Sequence, residues 1–301
     1  MKQRILSALA ALALAVSLVG TAFAETYSVT LTAEEAQGDV PAALSIPAQT
    51  PAAVGAEPNR IVITAPVKGA AVEIAVTGDA KEADVLFLKD DGTYDTADDT
   101  VRVSGSVCTM LPGTSATVIL LKKPPFTDLS RTAWYYGGVA YAYHNELMSG
   151  TSAKKFSPNT SANRAMLVTI LWRMAGKPAH GSGLSFSDVA AGQYYTDAVL
   201  WAAENNIVTG SKGKFRPNGT MTRQELAVML YRFAQYTGRD VSGRASLSGY
   251  GDGAKVASWA KDAMAWAVDA GLITGSNKKN LTPAGSATRA QLATILMRYA
   301  A

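Results

Sequence analysis

TMTRQELA, residues Thr220–Ala227, opens a segment whose apolar spacing predicts a helix, and it puts an arginine in that helix's first turn. The first turn carries unpaired N–H groups and the positive end of the macrodipole, so acidic side chains suit it and arginine does not. The same shape returns as SANRAMLV at Ser161–Val168 and as SATRAQLA at Ser286–Ala293. An awkward charge that recurs is a property of a repeated unit.

The flanking sequence repeats with it, in copies that begin at Phe126, Phe186 and Leu247. An aromatic at Trp134, Tyr194 and Trp259 precedes a glycine at Gly150, Gly210 and Gly275 by 16 positions each time. That glycine precedes Arg164, Arg223 and Arg289 by 14, 13 and 14 positions, and a second arginine (Arg173, Arg232, Arg298) follows nine later. Repeats of this length are single structural units. Each reads as helix, loop, helix. In SWAKDAMAWAVDAGLITG, Trp259, Ala263 and Trp266 share one face, and Gly271 sits where a left-handed residue ends the helix. Phe156 with Pro158 and Phe215 with Pro217 anchor the loop, with Leu281 and Pro283 in their place in the third copy. Leu226, Met229, Leu230 and Phe233 then form the apolar face of the second helix.

Thr222 with Glu225 and Thr288 with Gln291 are capping boxes, while Asn163 caps without a partner at Met166. The arginine therefore occupies the first helical position. There it shares a space with the free N–H groups of the helix and the upstream loop, an arrangement suited to an anion. Two readings stay open for it: an anion site, or an ion pair with Asp128 or Asp188 of the FTD and FSD segments. For the second arginine a structural role is the better reading, with the stem packed and the head paired. The aromatics suit either a core or the face of a sugar ring, and the glycines would let a ligand approach the backbone.

The rest of the chain sets the context. The first 24 residues, with Lys2 and Arg4, an apolar run from Ile5 to about Val19 and small residues at Ala22 and Ala24, read as a secretory leader. No later run is long and apolar enough to span a bilayer. The single cysteine, Cys108, forbids an intrachain disulfide. Residues 25–123 carry 7 basic and 14 acidic side chains, and residues 124–301 carry 19 basic and 10 acidic. A basic module in an exported protein points to an anionic partner, with nucleic acid the least fitting one outside a cell.

The acidic part reads as β. YSVTLTA, NRIVITA, AAVEIAVTG, ADVLFLKDD, TVRVSGSV and SATVILLKK predict about six strands in a small sandwich or barrel-like sheet, which Pro124 and Pro125 end. An Ala- and Pro-rich stretch at 39–59 reads as a loop or linker. In KDDGTYDTADD, residues Asp90, Asp91, Asp95, Asp98 and Asp99 are a calcium candidate set against the alternative of a hairpin with an acidic tip.

The region Phe126–Ala301 resembles the S-layer homology domains of bacterial surface proteins, in three tandem copies. The motifs that carry the resemblance are Phe-x-Asp at Phe126/Asp128 and Phe186/Asp188, the Trp or Tyr before the first helix, and the glycine turns. With them go Phe-x-Pro and the elements Asn163–Met166, Thr222–Glu225 and Thr288–Gln291. The third copy begins LSGYGDG, which sets Gly249 where the Asp stands elsewhere; Asp252 is close by but need not substitute for it.

The resemblance implies a pseudo-threefold, all-α assembly of three helix-loop-helix repeats after a small N-terminal β-sandwich-like domain, an α+β multidomain chain. Its segments are a leader (1–24), a β-rich domain (25–123) and repeats at 124–178, 184–240 and 245–301. It further implies non-covalent anchoring to the cell wall through anionic, pyruvylated secondary wall polysaccharide bound in grooves between repeats. The residues carried over are Arg164, Arg223, Arg289, Trp134, Tyr194, Trp259, Asp128, Asp188, Gly150, Gly210 and Gly275. The second repeat, complete in every motif, is the one on which most is staked.

No cofactor, metal, nucleic acid or, after leader cleavage, membrane enters this reading, and none assigns the chain a reaction. His144 and His180 are the only histidines, both lie outside the β-rich part, and no nucleophile motif is present. A surface enzyme acting on wall glycan and a self-assembling lattice subunit remain the alternatives.

Overall fold

In the computed structural model of the chain, the described residues are 12–16, 27–32, 60–63, 71–76, 83–89, 91–96, 101–103, 106–110, 116–181, 183, 185–275 and 279–301. They fall into two compact units. One comprises Met1–Pro124 with Arg131–Gly137, the other Pro125–Ser130 with Gly138–Ala301.

In the first unit, runs rich in Val, Ile and Thr favour the pleated backbone. They form β1 Leu12–Val16, β2 Tyr27–Thr32, β3 Arg60–Ile63, β4 Ala71–Val76, β5 Ala83–Leu88, β6 Tyr94–Thr96, β7 Val101–Val103, β8 Ser106–Met110 and β9 Ala116–Lys122. The strands pair antiparallel in two sheets, of order β1-β2-β4-β8-β7 and β3-β9-β5-β6.

This exceeds the six expected strands for three local reasons. TVRVSGSV doubles back, with Val103 opposite Ser106. Tyr94–Thr96 folds onto β5. Leu12–Val16, inside the stretch read as a leader, lies along β2 in the full chain, and cleavage after Ala24 would remove it. The stretch 39–59 and three of the calcium candidates, Asp90, Asp98 and Asp99, lie outside the described residues.

The other two candidates serve a hairpin. Asp91 Oδ1 accepts from the Thr93 N–H (2.9 Å) and hydroxyl (2.6 Å), and Gly92 takes a left-handed φ of 78° at the turn. Asp95 pairs with Lys89 Nζ at 2.7 Å. Among the described residues no group of three or more His, Cys, Asp or Glu side chains is placed to hold a metal ion. Below the hairpin, Asp84 on β5 is fully buried and accepts from Arg131 Nε (2.9 Å) and the Tyr136 hydroxyl (2.6 Å). A carboxylate taken out of water needs such partners, so these two tie the segment 131–137 to the sheet.

In the second unit each repeat is helix, loop, helix: α1 Tyr136–His144 and α2 Arg164–Met174, α3 Thr196–Glu204 and α4 Arg223–Tyr236, α5 Lys261–Asp269 and α6 Arg289–Ala300. Asn163 caps α2 through the Met166 N–H, and α4 and α6 begin with complete capping boxes. The first helices end on left-handed residues, Gly271 (φ 67°) as predicted and Glu146 (54°) and Asn206 (58°) at the matching places. Among the described residues no helix is long and apolar enough to cross a membrane.

The repeats close a ring. The first helix of a repeat packs on the second helix of the one before it, α3 on α2 and α5 on α4. The last gap is closed by α1 on α6, so tightly that a Cβ added at Gly138 would lie 2.6 Å from Thr294 Cα. At the centre the residues before the caps bond in a triangle: Ala162 N–H to Ala287 C=O (2.8 Å), Ala287 N–H to Met221 C=O (3.0 Å) and Met221 N–H to Ala162 C=O (3.0 Å). Leu167, Leu171, Leu226, Leu230, Leu292 and Leu296 are fully buried, so the apolar stripe of every second helix faces inward. The arginines at the starts of these helices therefore ring one end of the bundle.

Candidate functional site

Three loops, each clamped by an aspartate, receive the first-turn arginines. Asp128 accepts from the N–H of Phe156 (2.9 Å) and Ser157 (2.8 Å), and Asp188 from Phe215 and Arg216 (both 2.8 Å). Burial raises both carboxyls, but the backbone N–H groups outweigh it and hold them below the usual aspartate value. In the third repeat Asp252 does the same for Leu281 (2.7 Å) and Thr282 (2.8 Å).

The clamped residues Ser157, Arg216 and Thr282 have φ of 59°, 61° and 47°, a conformation that costs a non-glycine residue about 1 kcal/mol or more. Two carboxylate oxygens on two successive N–H groups over-determine that bend. The clamp corrects the alignment of the third copy: the position of Asp128 and Asp188 belongs to Asp252, not Gly249. Tyr250–Gly251–Asp252 is the aromatic-x-Asp start, displaced because Trp259 follows its aromatic by nine residues where Trp134 and Tyr194 follow theirs by eight.

The glycines serve that same aromatic. A Cβ on Gly150 would come within 2.4 Å of Phe126 Cε1, on Gly210 within 2.4 Å of Phe186 Cε1, and on Gly275 within 3.0 Å of Tyr250 Cε1. The space expected for a ligand beside these glycines is filled by the ring that starts the repeat.

Each first-turn arginine reaches into the next repeat. Arg164 Nε donates to Phe215 C=O (2.9 Å), Arg223 Nε to Leu281 C=O (2.7 Å) and Arg289 Nε to Phe156 C=O (2.8 Å). All three side chains are buried, at 7, 6 and 5% exposure, and burial pulls all three guanidinium pKa values down. Arg164 and Arg289 also lie over the Phe215 and Phe156 rings, with Cζ 4.8 and 4.5 Å from the centroids, a cation–π contact.

Among the described residues no ion pair joins a first-turn arginine to Asp128 or Asp188, so the pairing envisaged from sequence does not form. Those carboxylates are committed to backbone. The partner that does appear is Glu225, the acid of the capping box, 3.2 Å from Arg164 Nη1 and 3.2 Å from Arg216 Nη2.

The free helix N–H groups of the sequence reading are likewise taken. Arg164 and Ala165 donate to Gly219 and Pro217 C=O, Arg223 and Gln224 to Gly285 and Pro283, and Arg289 and Ala290 to Thr160 and Pro158. What the helix ends leave for an anion is therefore the guanidinium, not the amides. Each arginine therefore meets the loop of another repeat: Arg223 reaches the loop clamped by Asp252, and Arg164 the loop clamped by Asp188.

The aromatics are exposed where a core role would bury them: Trp134 by 66%, Tyr194 by 62% and Trp259 by 58%. Trp134 is counted with the first unit and stands edge-on to Tyr135. Burial, with Tyr195 beside it, raises the Tyr194 phenol above its ordinary value. Ala257, two residues before Trp259, donates to Gln224 Oε1 at 3.1 Å, which sets the third aromatic near the start of α4. Two of the second arginines hold carbonyls as read: Arg173 donates to Leu147 C=O (3.1 Å) and Arg298 to Leu272 C=O (3.4 Å).

Sequence reasoning missed the loop carbonyls, Glu225 as an ion-pair partner, Arg216 and Tyr250, and it left open the clamp role of Asp252. Only the last two left a signal, the recurrence of aromatic-x-Asp.

Comparison with known proteins closes the description. A family model described as "S-layer homology domain" matches residues 125–165, 185–227 and 249–293. The chain is 31% identical over 173 residues to an endoglucanase of Bacillus sp. (strain KSM-635), a stretch that is 57% of this chain and 18% of that protein. It is 33% identical over 156 residues to the surface-layer 125 kDa protein of Lysinibacillus sphaericus, covering 50% and 13%. It is 24% identical over 160 residues to a cellulosome-anchoring protein of Acetivibrio thermocellus, covering 52% and 35%. The chain thus spans about a fifth of the first of these relatives and about a third of the last.

Proposed function

This chain belongs to the S-layer homology domain family, whose unit it carries in three tandem copies, and on that premise we propose that it attaches non-covalently to the bacterial cell wall by binding an anionic polysaccharide in the grooves between repeats. The cell-surface role has the support of relatives named for surface layers and cellulosome anchoring. The ligand class rests on one observation: three buried guanidinium groups at one end of the ring, only one of them paired with a carboxylate among the described residues, with Tyr194 and Trp259 of the same unit exposed. A sugar bearing a carboxylate, such as a pyruvyl ketal, matches a charged fork beside an aromatic face. Several modest sites on one polymer add by avidity.

The reading gives the chain no catalytic step. Its recognition groups are arginines and aromatics, and His180 lies 3.5 Å from Asp197 and bonds Gly181 C=O. The N-terminal unit is then the part displayed. Co-sedimentation of the chain with purified wall polymer, before and after mild acid removal of its pyruvyl groups, tests the proposal on the ligand side and leaves the protein untouched. Loss of binding on removal supports it, and equal binding to both polymers overturns the carboxylate as the recognised group.

A further inference from the structure

The first unit has four outer strands among the described residues, and three of them are blunted. β3 is four residues long and carries Arg60, β6 is three long and carries Asp95, and β7 is three long and carries Arg102. Shortness and charge are the usual protection of a sheet edge against a further strand. The fourth outer strand is β1, Leu12–Val16, which lies inside the segment read as a leader. Cleavage after Ala24 takes it away and turns β2 into the edge.

β2 has none of that protection. Tyr27–Thr32 is six residues long and holds no charged residue, proline or glycine. One side of it is fixed, since all six residues pair with β4, from Tyr27 opposite Val76 to Thr32 opposite Ala71. Its other side accepts an antiparallel strand: in the full chain it receives five uncharged residues, from Leu12 opposite Leu31 to Val16 opposite Tyr27. The N–H and C=O groups along a vacated edge lose their protein partners, and another strand supplies them together. The new N-terminus is too short to do so, because Glu25 and Thr26 alone precede β2 in the cleaved chain.

We propose that leader removal opens β2 as a pairing edge, and that its occupant is β2 of a second copy, joined antiparallel about a two-fold axis. A strand that pairs with itself in this way makes a closed, isologous dimer. With the axis at Val29, Tyr27 of each copy stands opposite Leu31 of the other and Ser28 opposite Thr30. Apolar positions then meet apolar ones and polar meet polar, and within β2 no charges are opposed. Chains anchored to one wall polymer share a small volume, which favours the pair.

The test is the molar mass of the chain from Glu25 to Ala301, measured by light scattering at rising concentration. Twice the single-chain mass is expected. Ser28→Lys/Thr30→Lys sets lysine against lysine across the axis and should give the single mass, as should Ser28→Glu/Thr30→Glu, each checked against the parent by circular dichroism. Mixing these two variants opposes lysine to glutamate and should restore the double mass, which a mere loss of folding could not do. A parent that stays single at every concentration, a lysine variant that still doubles, or a mixture of folded variants that stays single overturns the proposal. An exported chain whose intact mass still includes residues 12–16 overturns it as well, since β1 would then keep the edge covered.

Discussion

Replacing Asp252 with alanine removes the clamp of the third loop, and the structure sets the size of the effect. Two hydrogen bonds to an ionised carboxylate are lost, at 2.7 and 2.8 Å. They are partly exposed, so each is worth about 1.5 kcal/mol, the low end for a charged acceptor. Release lets Thr282 leave its left-handed φ of 47° and recovers about 1 kcal/mol. The net cost is about 2 kcal/mol, which in a unit of this size lowers the melting temperature by roughly 4–8 °C.

The control is Gly249→Ala, at the position the sequence alignment equated with aspartate. A Cβ there meets nothing within 4 Å, so its effect should stay within about 0.5 kcal/mol. The assay is thermal unfolding of the full chain followed by circular dichroism at a helical wavelength, which reports the second unit. If Asp252→Ala melts within about 1 °C of Gly249→Ala, the clamp contributes nothing and the reassignment of the third repeat is wrong.

Three further outcomes follow from the same geometry. Backbone N–H groups hold the Asp128 and Asp188 carboxyls below the ordinary aspartate value in the folded chain, so their contribution is full above that ordinary value and is lost as pH falls through the folded values. The helical melting temperature should hold from pH 7 to about 5 and drop below about pH 4, with a shallower drop in Asp128→Asn/Asp188→Asn; an unchanged acid slope in that variant counts against the clamps. Gly210→Ala drives a Cβ to 2.4 Å from Phe186 and should cost roughly 1–3 kcal/mol in denaturant titration, where a silent substitution would show the ring is not held there. Thr222→Ala breaks the α4 capping box and should cost about 1 kcal/mol, and no loss would mean that the neighbouring loop carbonyls alone secure that helix end.

Much of the second unit was legible because its determinants are local. The cap at Thr222 and the arginine after it mark a helix start within four residues, and Gly271 marks an end by itself. The left-handed bends at Ser157, Arg216 and Thr282 were not legible, since none is glycine and each is held by an aspartate 28 to 30 residues away. The purpose of the arginines lay further off still. Arg289 bonds a carbonyl 133 residues back, and no spacing within one repeat signals that the partner is the next repeat around a closed ring. Glu225 was read as a cap partner, which it is; only the ring shows that its other oxygen serves Arg164. In the first unit the strands were visible from their branched residues, whereas the hairpin at Val103–Ser106 was hidden inside one continuous β-like run.

The claim that matters most is that a carboxylate-bearing sugar holds this chain on the wall. The most direct measurement loads isolated cell walls with the chain and follows its release by free N-acetylmannosamine glycoside with and without the pyruvyl ketal, at constant ionic strength. Release by the pyruvylated sugar alone is the predicted result. Release by both sugars equally, or by neither at concentrations that saturate the chain in solution, would contradict it.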